Sequence, residues 1–103
     1  MAKLESKFQK EFIDKVKERY PGSIALKNDS SYLQGIPDWT ILYEDKWAVL
    51  EMKKDRGARK RPNQKYYVEK LNNMSFSRFV YPENADEVFE DLDTLFKRKR
   101  RRQ

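Results

Sequence analysis

Apolar residues recur along this chain with two different periods, and the change of period divides it into elements. From Lys3 to Arg19, Leu4, Phe8, Phe12 (or Ile13) and Val16 recur every three to four residues, which predicts a helix ended by Tyr20-Pro21-Gly22. Ser23–Lys27 reads as a short strand and Asn28–Gly35 as a polar loop. Residues 38–43 and 47–53 are rich in Trp, Ile, Val and Tyr and are separated by Glu44-Asp45-Lys46, the signature of a hairpin. Asp55–Pro62 follows as a basic loop that bends at Gly57. Pro62 suits the first turn of a helix running to about Asn72, with Tyr66, Tyr67, Val68 and Leu71 as its apolar positions and Asn72-Asn73 as its breaker. Phe76–Tyr81 is a strand stopped by Pro82. A last helix is predicted from Asn84 to about Lys97, with Asn84 and Glu87 as a capping-box-like start and Val88, Phe89, Leu92, Leu95 and Phe96 as its stripe. The order α-β-β-β-α-β-α predicts an α/β (α+β) fold with a mixed sheet flanked by helices.

Register in the hairpin is what makes it chemically interesting. A turn centred on Glu44-Asp45 pairs Tyr43 with Lys46, Leu42 with Trp47 and Asp38 with Glu51. Side chains alternate along strands, so Asp38, Glu51 and Lys53 share one face. Like charges directly opposite one another destabilise a sheet. A divalent cation is the natural compensation, because Mg2+ takes oxygen ligands and is commonly held by one or two carboxylates with water and substrate phosphate. Lys53 could then orient the nucleophile or stabilise developing negative charge. The ordinary alternative is a solvated Glu-x-Lys triplet in which Lys53 pairs with Glu51. The Pro-Asp onset, the matched apolar strands and the facing register together favour a site.

Composition narrows the chemistry. The 103 residues make one domain, read as residues 1–96 with a basic tail at 97–103. Fourteen aromatics help so short a chain to build a core. There is no cysteine and no histidine, which excludes disulfides, thiolate and His-based zinc sites and Ser-His-Asp catalysis. No apolar run reaches membrane-spanning length and there is no signal-peptide core, so a soluble, cytoplasmic protein is expected. The net charge of +6 resides in the tail: without Lys97–Arg102 the chain has 17 basic and 17 acidic residues. The body is nonetheless polarised. Lys53–Lys65 carries seven basic residues and one acid, whereas Glu83–Asp93 carries six acids and no base. A polyanion would suit Lys54, Arg56, Arg59, Lys60, Arg61 and Lys65, which follow Lys53 directly. Ser30, Ser31 and Tyr32 could hydrogen-bond a phosphate or a base. Trp39, Trp47, Tyr66 and Tyr67 are expected in the core or a subunit interface.

Gly35-Ile36-Pro37-Asp38, a hairpin, and then Glu51-Met52-Lys53 together resemble the PD-(D/E)XK nuclease superfamily. Within it the chain is similar to the VRR-NUC (virus-type replication-repair nuclease) group, above all its small stand-alone phage-type members. The resemblance extends to about Phe96 and implies a restriction-endonuclease-like core. It also implies a Mg2+-dependent endodeoxyribonuclease, with Mn2+ able to substitute. Leu4-Glu5-Ser6-Lys7-Phe8-Gln9 resembles the first-helix motif, which makes Glu5 a metal-organising carboxylate, with Glu11 as its competitor on the same helix. Arg61-Pro62-Asn63-Gln64 resembles the segment bearing an active-site glutamine, here Gln64. The carbonyl of Met52 would be a further metal ligand. The resemblance implies a homodimer acting on branched DNA such as a four-way (Holliday) junction, in a bacterial host cell if phage-encoded. The competing reading is a non-catalytic nucleic-acid-binding module on the same fold, in which the basic blocks do the work.

Overall fold

A computed structural model describes the backbone of residues 2–98 and the side chains of residues 6–98. The elements are α1 (Ala2–Arg19), β1 (Ile24–Lys27), β2 (Trp39–Tyr43), β3 (Lys46–Met52), α2 (Pro62–Met74), β4 (Ser77–Val80) and α3 (Ala85–Phe96), with a short 3-10 turn at Pro82–Asn84 before α3. The sheet runs β1-β2-β3-β4 and is mixed: β1, β2 and β3 are antiparallel neighbours, and β4 joins β3 in parallel through the α2 crossover. Tyr43 pairs with Lys46 and Leu42 with Trp47, the register that the turn residues predict. Glu44 sits in the turn with a φ of 57°.

Period-two alternation sorts the sheet into two unlike faces. Ile41 of β2, Ala48, Leu50 and Met52 of β3 and Val80 of β4 point into the core with Phe76, just before β4. There they meet Phe12, Ile13, Val16 and Tyr20 from the α1 side and Val88, Phe89, Leu92, Leu95 and Phe96 of α3. Phe12 stacks on Phe89 with ring centroids 4.5 Å apart, and Tyr20 meets Phe96 edge-on at 4.9 Å. The alternate residues Val49, Glu51 and Lys53 therefore face α2, a helix with no fully buried residue. That face carries the chemistry.

Three local expectations change. Asn72-Asn73 does not end α2, which runs on to Met74. Asn72 instead uses Oδ1 to accept from the Ser77 N–H at 3.2 Å and from the Arg78 guanidinium, tying the helix to β4. Asn84 does not cap α3 with its side chain. Its amide bridges the end of β4, accepting from Tyr81 N at 2.9 Å and donating to Phe79 O at 3.0 Å. Tyr66 is exposed and so outside the core, the first of its two expected places, because α2 lies over the polar face of the sheet.

One polar clamp joins the two core helices. Asp93 of α3 accepts from Arg19 Nε at 3.0 Å, from the Arg19 terminal nitrogen at 2.6 Å and from the Tyr20 hydroxyl at 2.6 Å. The hydrogen bonds from Arg19 above all hold the Asp93 carboxyl well below the usual carboxylate range. The clamp is therefore fully present above pH 4 and is lost as the pH falls through that depressed value. Asp93→Asn should cost about 1–2 kcal/mol at pH 7, since it removes charge-assisted bonds and weakens the partner of a buried hydroxyl. Urea unfolding at pH 7 and pH 2.5 checks this; a variant as stable as the parent at pH 7 would contradict it.

Candidate active site

Asp38 is the last residue before β2, and its backbone is fixed on both sides. The Asn28 N–H donates to the Asp38 carbonyl at 2.7 Å, and Asn28 Nδ2 donates to the carbonyl of the buried Pro37 at 2.8 Å. Pairing of Trp39 with Leu50 brings Asp38 opposite Glu51. Asp38 Oδ2 accepts the Met52 N–H at 2.9 Å, and its Oδ1 lies 3.7 Å from Lys27 Nζ. The aspartate thus bridges β2 to β3 and faces the β1 edge.

Glu51 is 5% exposed and Lys53 9%. Neither would be buried so far without partners. The Lys53 N–H donates to Val80 O at 2.8 Å, which fixes its backbone against β4. Its Nζ donates to Gln64 Oε1 at 2.9 Å and to Arg59 O at 2.8 Å, and stands 3.8 Å from Glu51 Oε2. Gln64 Nε2 donates to Glu51 Oε2 at 3.1 Å. Gln64 Oε1 also accepts the Arg61 N–H at 3.0 Å, so a residue of the first turn of α2 both caps the helix and ties it to Glu51. Burial, and then the neighbouring Asp38 charge, raise the Glu51 carboxyl to about 7, with Lys53 opposing them. Glu51 therefore sits between its protonated and ionised forms at neutral pH.

The structure brings Asp38, Glu51, Lys53 and Gln64 together. Met52 turns its side chain into the core, so only its backbone is directed to this face. The side chain of Glu5 lies outside the described residues, as does the tail from Lys99 onward. Glu11 is exposed on α1. Among the described residues no group of three or more acidic side chains converges on one point. The Asp38–Glu51 pair still fits a Mg2+-type cation, which commonly takes no more than two protein carboxylates. The positive charge of a cation between them would offset the two causes that raise Glu51, its burial and the facing Asp38 charge.

The basic loop is laid against the end of β4. Lys60 Nζ lies over the rings of Phe79 and Tyr81 at 5.3 and 5.5 Å, and the Arg56 guanidinium lies over Tyr81 at 5.6 Å. The Arg56 N–H donates to the Glu83 carboxylate at 3.2 Å. Lys60 is half-buried by these contacts, whereas Lys54, Arg56, Arg59, Arg61 and Lys65 are exposed.

Lys27, Asn28 and Gln9 are the neighbours that sequence reasoning missed. Gln9 Oε1 accepts from Lys27 Nζ at 3.1 Å and from Trp39 Nε1 at 3.0 Å. Lys27 pairs with Trp39 in the β1–β2 register. The long loop before β2 hides that register, so no spacing rule could have placed Lys27 beside Asp38.

A solved structure described as a VRR_NUC domain protein is similar to this chain, with a TM-score of 0.64 and 18% sequence identity over 90% of this chain and 88% of that one. The chain thus has a VRR-NUC fold. No family model matches the sequence, and no curated protein matches it. Among the described residues no helix is long and apolar enough to cross a membrane.

Proposed function

We propose that the chain is a divalent-metal-dependent DNA endonuclease, selective for branched DNA and acting as a homodimer. The observation that carries this reading is the convergence of Asp38, Glu51 and Lys53 on the one sheet face not used for the core. A pure binding module gains nothing from two facing carboxylates where phosphate must approach.

Asp38 and Glu51 would hold Mg2+ or Mn2+, with the Met52 carbonyl and Glu5 completing the protein's share. Such a cation polarises a phosphoryl oxygen and lowers the pKa of a bound water. Gln64 holds Glu51 in place and fixes the Lys53 ammonium beside it. Lys53 would orient the nucleophile and stabilise charge developing on the phosphate. The exposed Lys54, Arg59, Arg61 and Lys65 give phosphate contacts that supply affinity and salt dependence rather than sequence preference. Two further features support a dimer on branched DNA. So small a body grips little DNA alone, and the part of the sheet outside α2 exposes Ile24, Leu26 and Leu42 as an apolar face.

The test is cleavage of four-way junctions, flaps, splayed arms and plain duplex with Mg2+ and Mn2+, beside the Asp38→Ala protein, with the mass in solution measured by sedimentation. Junction cleavage by a dimer, absent in the variant, is expected. Binding without cleavage of any substrate would instead favour the non-catalytic module.

A further inference from the structure

The loop from Asp29 to Ile36 is built before any partner arrives. Asp29 Oδ1 accepts from the Ser31 N–H at 2.8 Å and from the Ser31 hydroxyl at 2.6 Å. The Asp29 carbonyl accepts from the Tyr32 N–H at 3.2 Å, and Leu33 O accepts from Ile36 N at 3.2 Å. The loop then closes on the start of α2. Gly35 has a φ of 90°, and a β-carbon there would lie 2.7 Å from Asn63 Cγ and 2.8 Å from its Cβ. Only glycine permits that approach.

A cleft of about 220 Å3 remains between loop and helix, lined by Ser30, Ser31, Gln34, Arg61, Asn63 and Gln64 beside Gly35. Its lining consists of hydroxyls, amides and one guanidinium, with no acidic side chain. The volume is below the roughly 300–1,000 Å3 of sites that enclose a whole small molecule, so it suits one unit of a longer one. Gln64 lines the cleft and also bonds Glu51 and Lys53, which places the cleft one side chain away from the carboxylates.

We propose that this cleft is a second phosphate subsite, taking a backbone phosphate of the strand whose neighbouring phosphate reaches Asp38 and Glu51. The inference rests on the nuclease reading for the identity of the strand. Two carboxylates repel a phosphate unless adjacent groups hold the strand in place. Arg61 supplies the charge for that, and the Ser30, Gln34 and Asn63 side chains supply neutral donors. Backbone contacts of this kind set the position of a strand and carry no sequence information. The subsite would therefore choose which phosphate is presented for reaction.

The test is binding of a fluorescent four-way junction by the full chain in Ca2+, with one methylphosphonate placed at each position of one strand around the branch point in turn. Gln34→Glu and Ser30→Asp add negative charge to the cleft at exposed loop positions, and Thr94→Asp adds the same charge on α3 as a control. One neutralised position should raise the wild-type Kd about tenfold, or about 1.4 kcal/mol. The two cleft variants should bind the unmodified junction about tenfold more weakly and be indifferent to that same position, while Thr94→Asp stays within about twofold of wild type. Cleft variants that behave like Thr94→Asp, or that still respond to every substituted position as wild type does, would overturn the subsite. A wild-type protein that shows the position dependence but cuts nothing with Mg2+ or Mn2+ would overturn the nuclease reading and leave the subsite standing. Absence of any junction binding would remove both.

Discussion

Lys53→Met should lower the rate of DNA cleavage by about a hundred- to a thousandfold while leaving DNA affinity in Ca2+ within about threefold of wild type. Methionine keeps the buried stem and removes only the ammonium, so packing against α2 is little disturbed. What disappears is the group that donates to Gln64 and Arg59 and stands 3.8 Å from Glu51. Lys53→Arg should not rescue the rate. The planar guanidinium is too wide for a position held on two sides by the Arg59 carbonyl and the Gln64 amide. Single-turnover cleavage with Mg2+ separates the chemical step from binding. A Lys53→Met rate within tenfold of wild type would assign the lysine a purely structural part in neutralising Glu51.

The second large effect separates stability from activity at Glu51. Its carboxyl ionises at its ordinary value of 4.5 when the chain is unfolded and is pushed to about 7 in the fold. The folded state thus binds the proton more tightly. The contribution of Glu51 to the stability of the cation-free protein is fully present below pH 4.5 and is lost as pH rises to about 7, by about 2 kcal/mol once solvent relaxation is allowed for. Asp93 works in the opposite sense and in a different window, below pH 4. Glu51→Gln keeps an acceptor for Gln64 and removes the buried charge. It should make the cation-free protein about 1–2 kcal/mol more stable at pH 8, flatten its profile between pH 5 and 8, and eliminate cleavage. On the proposed reading Mg2+ takes the ionised form, so millimolar Mg2+ should stabilise wild type at pH 8 and leave Glu51→Gln unchanged. Urea titrations at pH 5 and pH 8, with and without Mg2+, read all of this. A variant less stable than wild type at pH 8 without cation would show that Glu51 contributes structure and imposes no strain.

The neighbourhood of the hairpin was more legible in the sequence than the rest of the site. Trp39–Tyr43 and Lys46–Met52 alternate about a two-residue turn, so counting residues was enough to pair Leu42 with Trp47. The helices were legible from their stripes, and Val88, Phe89, Leu92, Leu95 and Phe96 are the buried residues of α3. The ends were not. Asn72 and Asn84 have the composition of breaker and cap, but each found a better partner in β4 than in its own helix. Asparagine competes for backbone groups wherever they are unpaired, and local sequence does not reveal which groups the fold leaves free.

Gln64 illustrates the remaining distance. Its spacing from Arg61 marks a helix start, whereas its bonds to Glu51 and Lys53 depend on where the α2 crossover returns. By itself, the sequence determined that Asp38, Glu51 and Lys53 stand on one face, because strand side chains alternate with a period of two whatever surrounds them. Only the tertiary structure decided which face that is. The apolar alternates of β3 packed on α1 and α3, leaving the charged ones beneath α2, and the loop from Asn28 to Pro37 returned to brace Asp38 beside Lys27. Those placements depend on long-range closure, where packing of the whole core outweighs any local preference.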